Sequence, residues 1–425
     1  MRPRKRLIEN IGSLTVLQGA NYILPLITLP YLVRVLGPEK FGLIAFAQAF
    51  MRYFVVLTDY GFNLSATRQI AIHRDDSGEV SRIFSSVMVI KSGLIVLSFL
   101  LMSAIVCAVP RFHADQQLYF ICFLTVVGNA LFPTWLFQGM EKMRYITALN
   151  VGAKSAAVAA IFLFVRRPSD YLVAAGIQSG GFVLAGFLGI ICLRSILRAR
   201  CAVPSWRAVS KAATEGRHVF ISTAAISLYT AGNAFVLGLI AGNTAVAYYS
   251  AADKLVRAVQ GLLTPVSQGI YPHISSLVVR SREAAVEFIR KSLKWMGLFS
   301  FTISVLLFIL AKPLVAVSLG EGFGASVAIL RVMAFLPFIV AMSNVFGMQT
   351  MLTFGMDRLV SRVLLLAGLI NLTIIVPLVC ALGPEGAAIS LLITETFVVV
   401  ACWYVVEKGH IHLLSARKRP SPTAV

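Results

Sequence analysis

A run of roughly twenty apolar residues, the length a helix needs to cross about 30 Å of hydrocarbon, recurs along this chain from residue 11 to residue 406. That recurrence restricts the fold more than any other feature, because a helix that is apolar all round must lie in lipid or in a large core. The runs predict twelve spans, at 11–33, 42–65, 85–109, 117–139, 147–165, 171–193, 218–241, 246–270, 295–318, 326–352, 360–381 and 386–406. Composition makes lipid the main solvent: 58% of residues are hydrophobic and 13% charged, and the mean hydropathy is +0.83, outside the range of soluble domains. A membrane β-barrel would show segments of about ten residues with alternating polarity, and no stretch here alternates that way. The predicted class is an all-α integral membrane protein of about twelve transmembrane helices.

The net charge of +20 by itself suggests a nucleic-acid partner, but the placement of the basic residues gives another reason for it. With the N-terminus inside, one side of the membrane collects Arg2, Arg4, Lys5, Arg6, Arg68, Arg74, Arg82, Lys142, Arg144, the 194–217 and 280–294 loops, Arg358, Arg362 and the 408–419 tail. The other side holds chiefly Arg34, Lys40, Arg111, Arg166, Arg167 and Lys312. This is the positive-inside bias, and an even number of spans returns the C-terminus to the cytoplasm. Nucleic acid is therefore not an expected partner; membrane lipids are. No small-residue cleavage site follows a short apolar region, so the first helix reads as an uncleaved anchor.

Chemistry-bearing motifs are absent from the sequence. Cys107, Cys122, Cys192, Cys380 and Cys402 fall in apolar spans and Cys201 in a loop, with no CxxC or Cys/His cluster, as small helix-interior hydrophobes would. The six histidines are scattered, and no HExxH, GxSxG or GxxxxGK[ST] occurs. Neither an enzyme nor a metal or organic cofactor is expected.

A weak internal repeat divides the chain. A shift of 205 residues sets Gly37 on Gly242 and Arg52 on Arg257, and carries the stripe Gln18, Tyr22, Pro25, Thr28 onto Thr223, Ser227, Thr230, Asn233. A slightly larger shift sets Gly139-Met140-Glu141-Lys142 on Gly355-Met356-Asp357-Arg358. The simplest organisation is a six-helix lobe over 1–193, a basic cytoplasmic linker over 194–217, a second six-helix lobe over 218–406 and a basic tail over 407–425. Repeats of the same topology imply a pseudo-twofold axis along the membrane normal, with a central cavity between the lobes.

Ionisable groups within spans are costly and therefore mark candidate function: Arg52, Asp59, Lys154, Asp253, Lys254, Arg257, Arg331 and Glu395. In the eighth span Asp253, Arg257, Gln260, Thr264 and Ser267 follow helical spacing, a polar seam that lipid would not tolerate. Gln48, Arg52 and Asp59 mark the corresponding face of the second span. The two arginines should then look at each other across the cavity, and two cations there call for an anion. Structural alternatives stand beside these roles: a snorkelling Arg331, a helix-capping Asp59, a Lys254 that reaches headgroups, and an Asp253–Arg257 i,i+4 pair that serves the fold. Gly176, Gly180, Gly181 and Gly186 read as close helix packing.

The opening segment Gln18-Gly-Ala-Asn21-Tyr22-Ile-Leu-Pro25-Leu-Ile-Thr28-Leu-Pro30-Tyr31-Leu-Val-Arg34-Val-Leu-Gly37-Pro38-Glu39-Lys40-Phe41-Gly42 resembles the Wzx-type polysaccharide flippases of bacteria. So do the segments from Asp59-Tyr60-Gly61-Phe62-Asn63 to Arg68, Trp135-Leu-Phe-Gln138-Gly139-Met140-Glu141, and Tyr248-Tyr249-Ser250-Ala-Ala-Asp253-Lys254-Leu-Val-Arg257-Ala-Val-Gln260-Gly261. The resemblance implies the fold of the multidrug/oligosaccharidyl-lipid/polysaccharide exporter superfamily, two six-helix lobes in a V around a cationic cavity. It also implies a place in the bacterial inner membrane and a substrate of undecaprenyl-pyrophosphate-linked oligosaccharide. That substrate would be flipped from the cytoplasmic to the periplasmic leaflet in O-antigen, capsule or exopolysaccharide assembly, with a polysaccharide polymerase and a chain-length regulator as further partners. Asp253 stands where glutamate is expected in the family, a shortening by one methylene that keeps the charge.

The expected substrate-facing set is Arg52, Lys154, Lys254, Arg257 and Arg331 with Gln18, Asn21, Gln48 and Gln260, and the expected coupling carboxylates are Asp59, Asp253 and Glu395. At an effective dielectric near 20, an arginine about 4 Å from a phosphate charge gains roughly 4 kcal/mol before desolvation, so two or three cations would carry a pyrophosphate into the bilayer. Two rivals remain at this level. A drug or lipid II exporter of the same superfamily shares the architecture, although lipid II flippases usually carry two further helices. A membrane glycosyltransferase or polymerase would place a large acidic loop outside, where every turn here is short.

Overall fold

The computed structural model describes residues 3–197 and 204–409, with 411 and 413. Residues 198–203 of the expected linker, most of the basic tail, Arg2 and the side chains of Thr230 and Thr264 lie outside the described residues. The chain runs through α1 (Pro3–Asp59), α2 (Phe62–Ile72), α3 (Ser77–Ala108), α4 (Pro110–His113), α5 (Gln116–Leu131), α6 (Thr134–Gly139), α7 (Met143–Phe164) and α8 (Tyr171–Leu197). It continues through α9 (Trp206–Ala241), α10 (Asn243–Arg280), α11 (Arg282–Ile309), α12 (Ala311–Ser318), α13 (Ser326–Met333), α14 (Leu336–Ser343), a π-helical segment (Asn344–Leu352) and α15 (Asp357–Lys408).

Two of these helices are too long to be single crossings. A straight helix of 57 residues, the length of α1, would measure about 85 Å. Instead α1 breaks at Gly37, with φ 69° and ψ 174°, a conformation essentially restricted to glycine. Pro38, whose φ suits a first helical turn, starts the next segment. α15 breaks likewise at Gly383, φ 59° and ψ −131°, before Pro384. Gly242, which the repeat aligns with Gly37, has φ 87° and ψ 178° and separates α9 from α10. The two matched glycines thus share one backbone state, so the weak sequence repeat has a geometric counterpart.

Among the described residues eight helices are long and apolar enough to cross a membrane. With α1 and α15 each folding back, and with α9 and α10 reaching 36 and 38 residues, the architecture is compatible with twelve spans in two halves. Leu100, Leu163, Phe164, Phe187, Leu298, Leu369 and Val376 are exposed on the outer surface of the bundle, where lipid would cover them. Small polar side chains such as Ser98, Ser300, Ser304, Asn371, Ser390 and Thr394 are buried instead between helices, as packing in lipid favours.

Several expected spans are interrupted. The second ends at Asp59, where Tyr60 and Gly61 take positive φ and turn the chain into α2. The span at 117–139 breaks at Phe132-Pro133, and the span at 326–352 divides into α13, α14 and the π-helical segment, with Pro337 in the first turn of α14. A proline lacks the N–H that would continue a helical ladder, which accounts for both positions. The second half of the expected linker is helical: α9 starts at Trp206, capped by Ser205 Oγ, which accepts from Ala208 N at 3.3 Å.

The two halves meet along α1 against α10 and α9, with α3 and α2 also touching α9. At the end that bears Gly37 and Gly242 the approach is closest, since a Cβ on Gly42 would lie 1.8 Å from the Asn243 carbonyl oxygen. Phe46 and Phe50 of α1 stack on Phe235 of α9 with centroids 5.4 and 5.5 Å apart. Arg111 reaches across to the carbonyl end of α9, where Nη1 donates to Leu239 O at 2.7 Å and Nη2 donates to Gly238 O. Arg34 Nη2 donates to Val317 O of α12. Two arginines of the first half therefore satisfy carbonyls at helix C-termini in the second, and both favour the negative end of a helix dipole. They fasten the halves together at the Gly37 end.

Candidate functional site

Residues 38–59 of α1 place Gln48, Arg52 and Asp59 on one helical face, at i, i+4 and i+11. On α10 the matching face carries Asp253 and Arg257, whose Nε donates to Asp253 Oδ2 at 2.6 Å. Arg52 lies within electrostatic reach of both Arg257 and Asp59. Glu395 of α15 and Tyr249 lie within reach of Arg257. Glu395, which has no cation near it in sequence, therefore finds one across the bundle. The structure brings Arg52, Asp59, Asp253, Arg257 and Glu395 into one charged group between the halves.

A polar cavity of about 200 Å³ opens beside Arg52 and is lined also by Asp59, Lys91, Asn129, Asn150 and Ser227. Lys91 of α3 is 3% exposed, and its Nζ lies 3.7 Å from Asp59 Oδ1. Asp59 is thus an ion-pair partner within the bundle as well as the last residue of α1. Among the described residues Arg52 forms no ion pair with a carboxylate within 4.0 Å, whereas Arg257 is held by Asp253. The two matched arginines therefore differ: one is engaged and one is available.

A second cavity, of about 350 Å³, contains Lys154, Lys254, Gln48, Gln178, Thr28, Thr125 and Phe182 on otherwise apolar walls. Lys154 Nζ donates to Asn21 Oδ1 at 2.6 Å and lies 5.6 Å from the Phe182 ring centre. Gln48 Nε2 donates to Gln178 Oε1 at 2.7 Å. Lys254 lies over Phe41, 5.0 Å from its ring centre. Carboxamides, ammonium groups and an aromatic face together suit a hydrated, oxygen-rich ligand.

The remaining expected residues stand apart. Arg331 is exposed on α13, its guanidinium over Phe308 at 5.8 Å, and lines neither cavity. Gln18 and Gln260 are half-buried on α1 and α10, also outside the two linings. Lys91, Gln178, Asn129 and Asn150 were not among the residues expected from sequence. Lys91 had a readable signal, since it is the only charged residue between Arg82 and Arg111. The carboxamides had none, because ordinary amides become a lining only when helices from distant parts of the chain converge.

Residues 7–278 match the family described as polysaccharide biosynthesis protein. A protein of Escherichia coli (strain K12) that bears the name O-antigen transporter is 40% identical over 390 residues, covering 92% of this chain and 94% of that protein. One of the same name from Shigella dysenteriae is 32% identical over 397 residues, with 92% and 98% covered. Among solved structures, the lipid II flippase MurJ in an inward closed conformation superposes with a TM-score of 0.75 at 14% identity, over 94% of this chain and 87% of that one. An inward-facing multidrug resistance MATE transporter of the MOP superfamily superposes at 0.69 and 13% identity, over 95% and 100%. The structural likenesses show the exporter fold, and the family match with the curated relatives shows descent. As the resemblance in the helical segments implied, the chain belongs to the polysaccharide biosynthesis protein family of membrane transporters.

Proposed function

We propose that this protein flips an undecaprenyl-pyrophosphate-linked oligosaccharide from the cytoplasmic to the periplasmic leaflet of the bacterial inner membrane. The observation that carries the reading is Arg52, a cation without a carboxylate partner, placed between the halves and within electrostatic reach of Arg257. A pyrophosphate would take both guanidiniums as bidentate partners. The carboxamide-lined cavities offer the sugar hydrogen bonds, while the polyprenyl chain stays in lipid. The names of the relatives support an O-antigen substrate for this chain too. Under the positive-inside orientation both termini are cytoplasmic and the fastened Gly37 end is periplasmic, and at the cytoplasmic end Tyr60 stacks on Phe220 at 5.1 Å, so loading would require the halves to part there. Rocking the halves apart at the Gly37 end would release the substrate. A polymerase and a chain-length regulator would then consume it.

Deleting the coding sequence in its host and scoring surface polysaccharide tests the reading. Loss of the polymer, accumulation of lipid-linked repeat units and restoration by the wild-type chain are expected. Intact surface polysaccharide in the deletion strain would refute it.

A further inference from the structure

We infer that Lys91 is a positioning residue for the anion site: it engages Asp59 and so leaves Arg52 available to the substrate's phosphate. This inference rests on the anion-site reading proposed above. Arg52 and Asp59 are seven residues apart on α1, which puts them on the same face about 10 Å apart along the axis, a gap that an arginine and an aspartate reaching toward each other can span. Left alone beside the cavity they would attract each other, since a half-buried carboxylate without a counter-ion is disfavoured. Lys91 offers Asp59 another partner, reaching from α3 to within 3.7 Å of Oδ1.

Burial holds the lysine to that partnership. The Lys91 side chain is 3% exposed and the Asp59 side chain 21%, so the ammonium has little access to water and depends on the carboxylate for compensation. In the second half the shift of 205 residues sets Asp253 on Gln48 and Thr264 on Asp59, so Arg257 meets a carboxylate at i−4, which holds it, where Arg52 meets a glutamine. Arg52 therefore lacks the i−4 carboxylate that holds Arg257, and the one carboxylate further along its own face, Asp59, is engaged by the lysine on α3. By charge, Arg52 and Lys91 against Asp59 leave the first-half cavity with one surplus positive charge. Removing Lys91 leaves none.

The test uses the purified full-length chain in detergent and undecaprenyl pyrophosphate as the probe, with binding measured per folded molecule and monodispersity checked by size exclusion. Lys91→Met should weaken binding at least tenfold, because Asp59 then captures Arg52. The double variant Asp59→Asn, Lys91→Met should return to within about threefold of wild type, and Lys91→Arg should bind nearly normally. Arg52→Ala must also lose at least tenfold. Unchanged binding there would refute the anion-site reading itself and remove the reason for keeping Arg52 unpaired. If Arg52→Ala is impaired, wild-type binding by Lys91→Met overturns the role of Lys91. So does a double variant as weak as Lys91→Met, which would show that the lysine touches the ligand. Should Lys91→Met not fold, Asp59→Asn alone decides: binding as tight as wild type or tighter is required, and a tenfold loss overturns the proposal.

Discussion

Closure of the two halves at the Gly37 end depends on a residue without a side chain, and Gly42→Ala perturbs it directly. The added Cβ would lie 1.8 Å from the Asn243 carbonyl oxygen, 2.7 Å from its carbon and 3.1 Å from the Ala247 Cβ. Two of those three atoms are backbone, so no rotamer change relieves the clash. Restoring an ordinary contact of roughly 3.3–3.5 Å requires α1 and α10 to separate by about 1.5 Å, and overpacking of this kind costs about 1–3 kcal/mol. Because that cost falls only on the conformation with this end closed, it shifts the balance toward the open one by about 5- to 150-fold. Pro38 and Gly322 report the closure, since a Cβ on Gly322 would lie 3.9 Å from the Pro38 ring. In a background without the native cysteines, Pro38→Cys with Gly322→Cys should cross-link readily, and adding Gly42→Ala should slow the cross-link at least fivefold. Cross-linking at the unperturbed rate in a folded variant would refute the closure mechanism.

Asn371→Leu should lower thermal stability in detergent, by about 1–3 kcal/mol, because Asn371 Nδ2 serves both Ser390 Oγ and Thr394 Oγ1 at 3.0 Å in a fully buried contact; a melting temperature equal to wild type would show the network to be idle. Single cysteines at Gly78, Ser205 or Ser281 should be protected from an impermeant thiol reagent in intact cells, whereas cysteines at Pro38 or Pro168 should react; the opposite labelling pattern would invert the orientation. If Glu395 carries a coupled proton, Glu395→Gln should leave the protein inserted but slow transport and flatten its pH dependence in reconstituted vesicles, and an unaltered pH profile would remove Glu395 from the mechanism.

The helices and their polar faces were legible because each is a local pattern. An apolar run fixes a crossing, and i,i+4 spacing fixes the Asp253–Arg257 pair without knowledge of any neighbour. Gly37 and Gly242 were legible as equivalents through the repeat, and their shared backbone state explains why glycine occupies both positions. What the sequence concealed depends on the rotation of one helix against another. Lys91 meets Asp59, Lys154 meets Asn21 and Gln48 meets Gln178, contacts between segments 32 to 133 residues apart whose register no local pattern encodes. Arg34 and Arg111 read as turn residues in a positive-inside count, yet each donates to a carbonyl of the opposite half. The π-helical segment at Asn344–Leu352 likewise leaves no trace in an apolar run.

The central claim is that Arg257 and Arg52 bind a pyrophosphate, against the alternative that Arg257 serves only to neutralise Asp253 at 2.6 Å. Membrane abundance and binding of the lipid-linked oligosaccharide, measured together for Arg52→Ala, Arg257→Ala and the Asp253→Ala, Arg257→Ala double variant, separate the two. An anion site predicts normal abundance with lost binding in all three, with lysine at either arginine position a partial substitute because it lacks the bidentate fork. Low abundance of Arg257→Ala, with abundance and binding both restored in the double variant, would contradict the claim and assign the arginine to the fold.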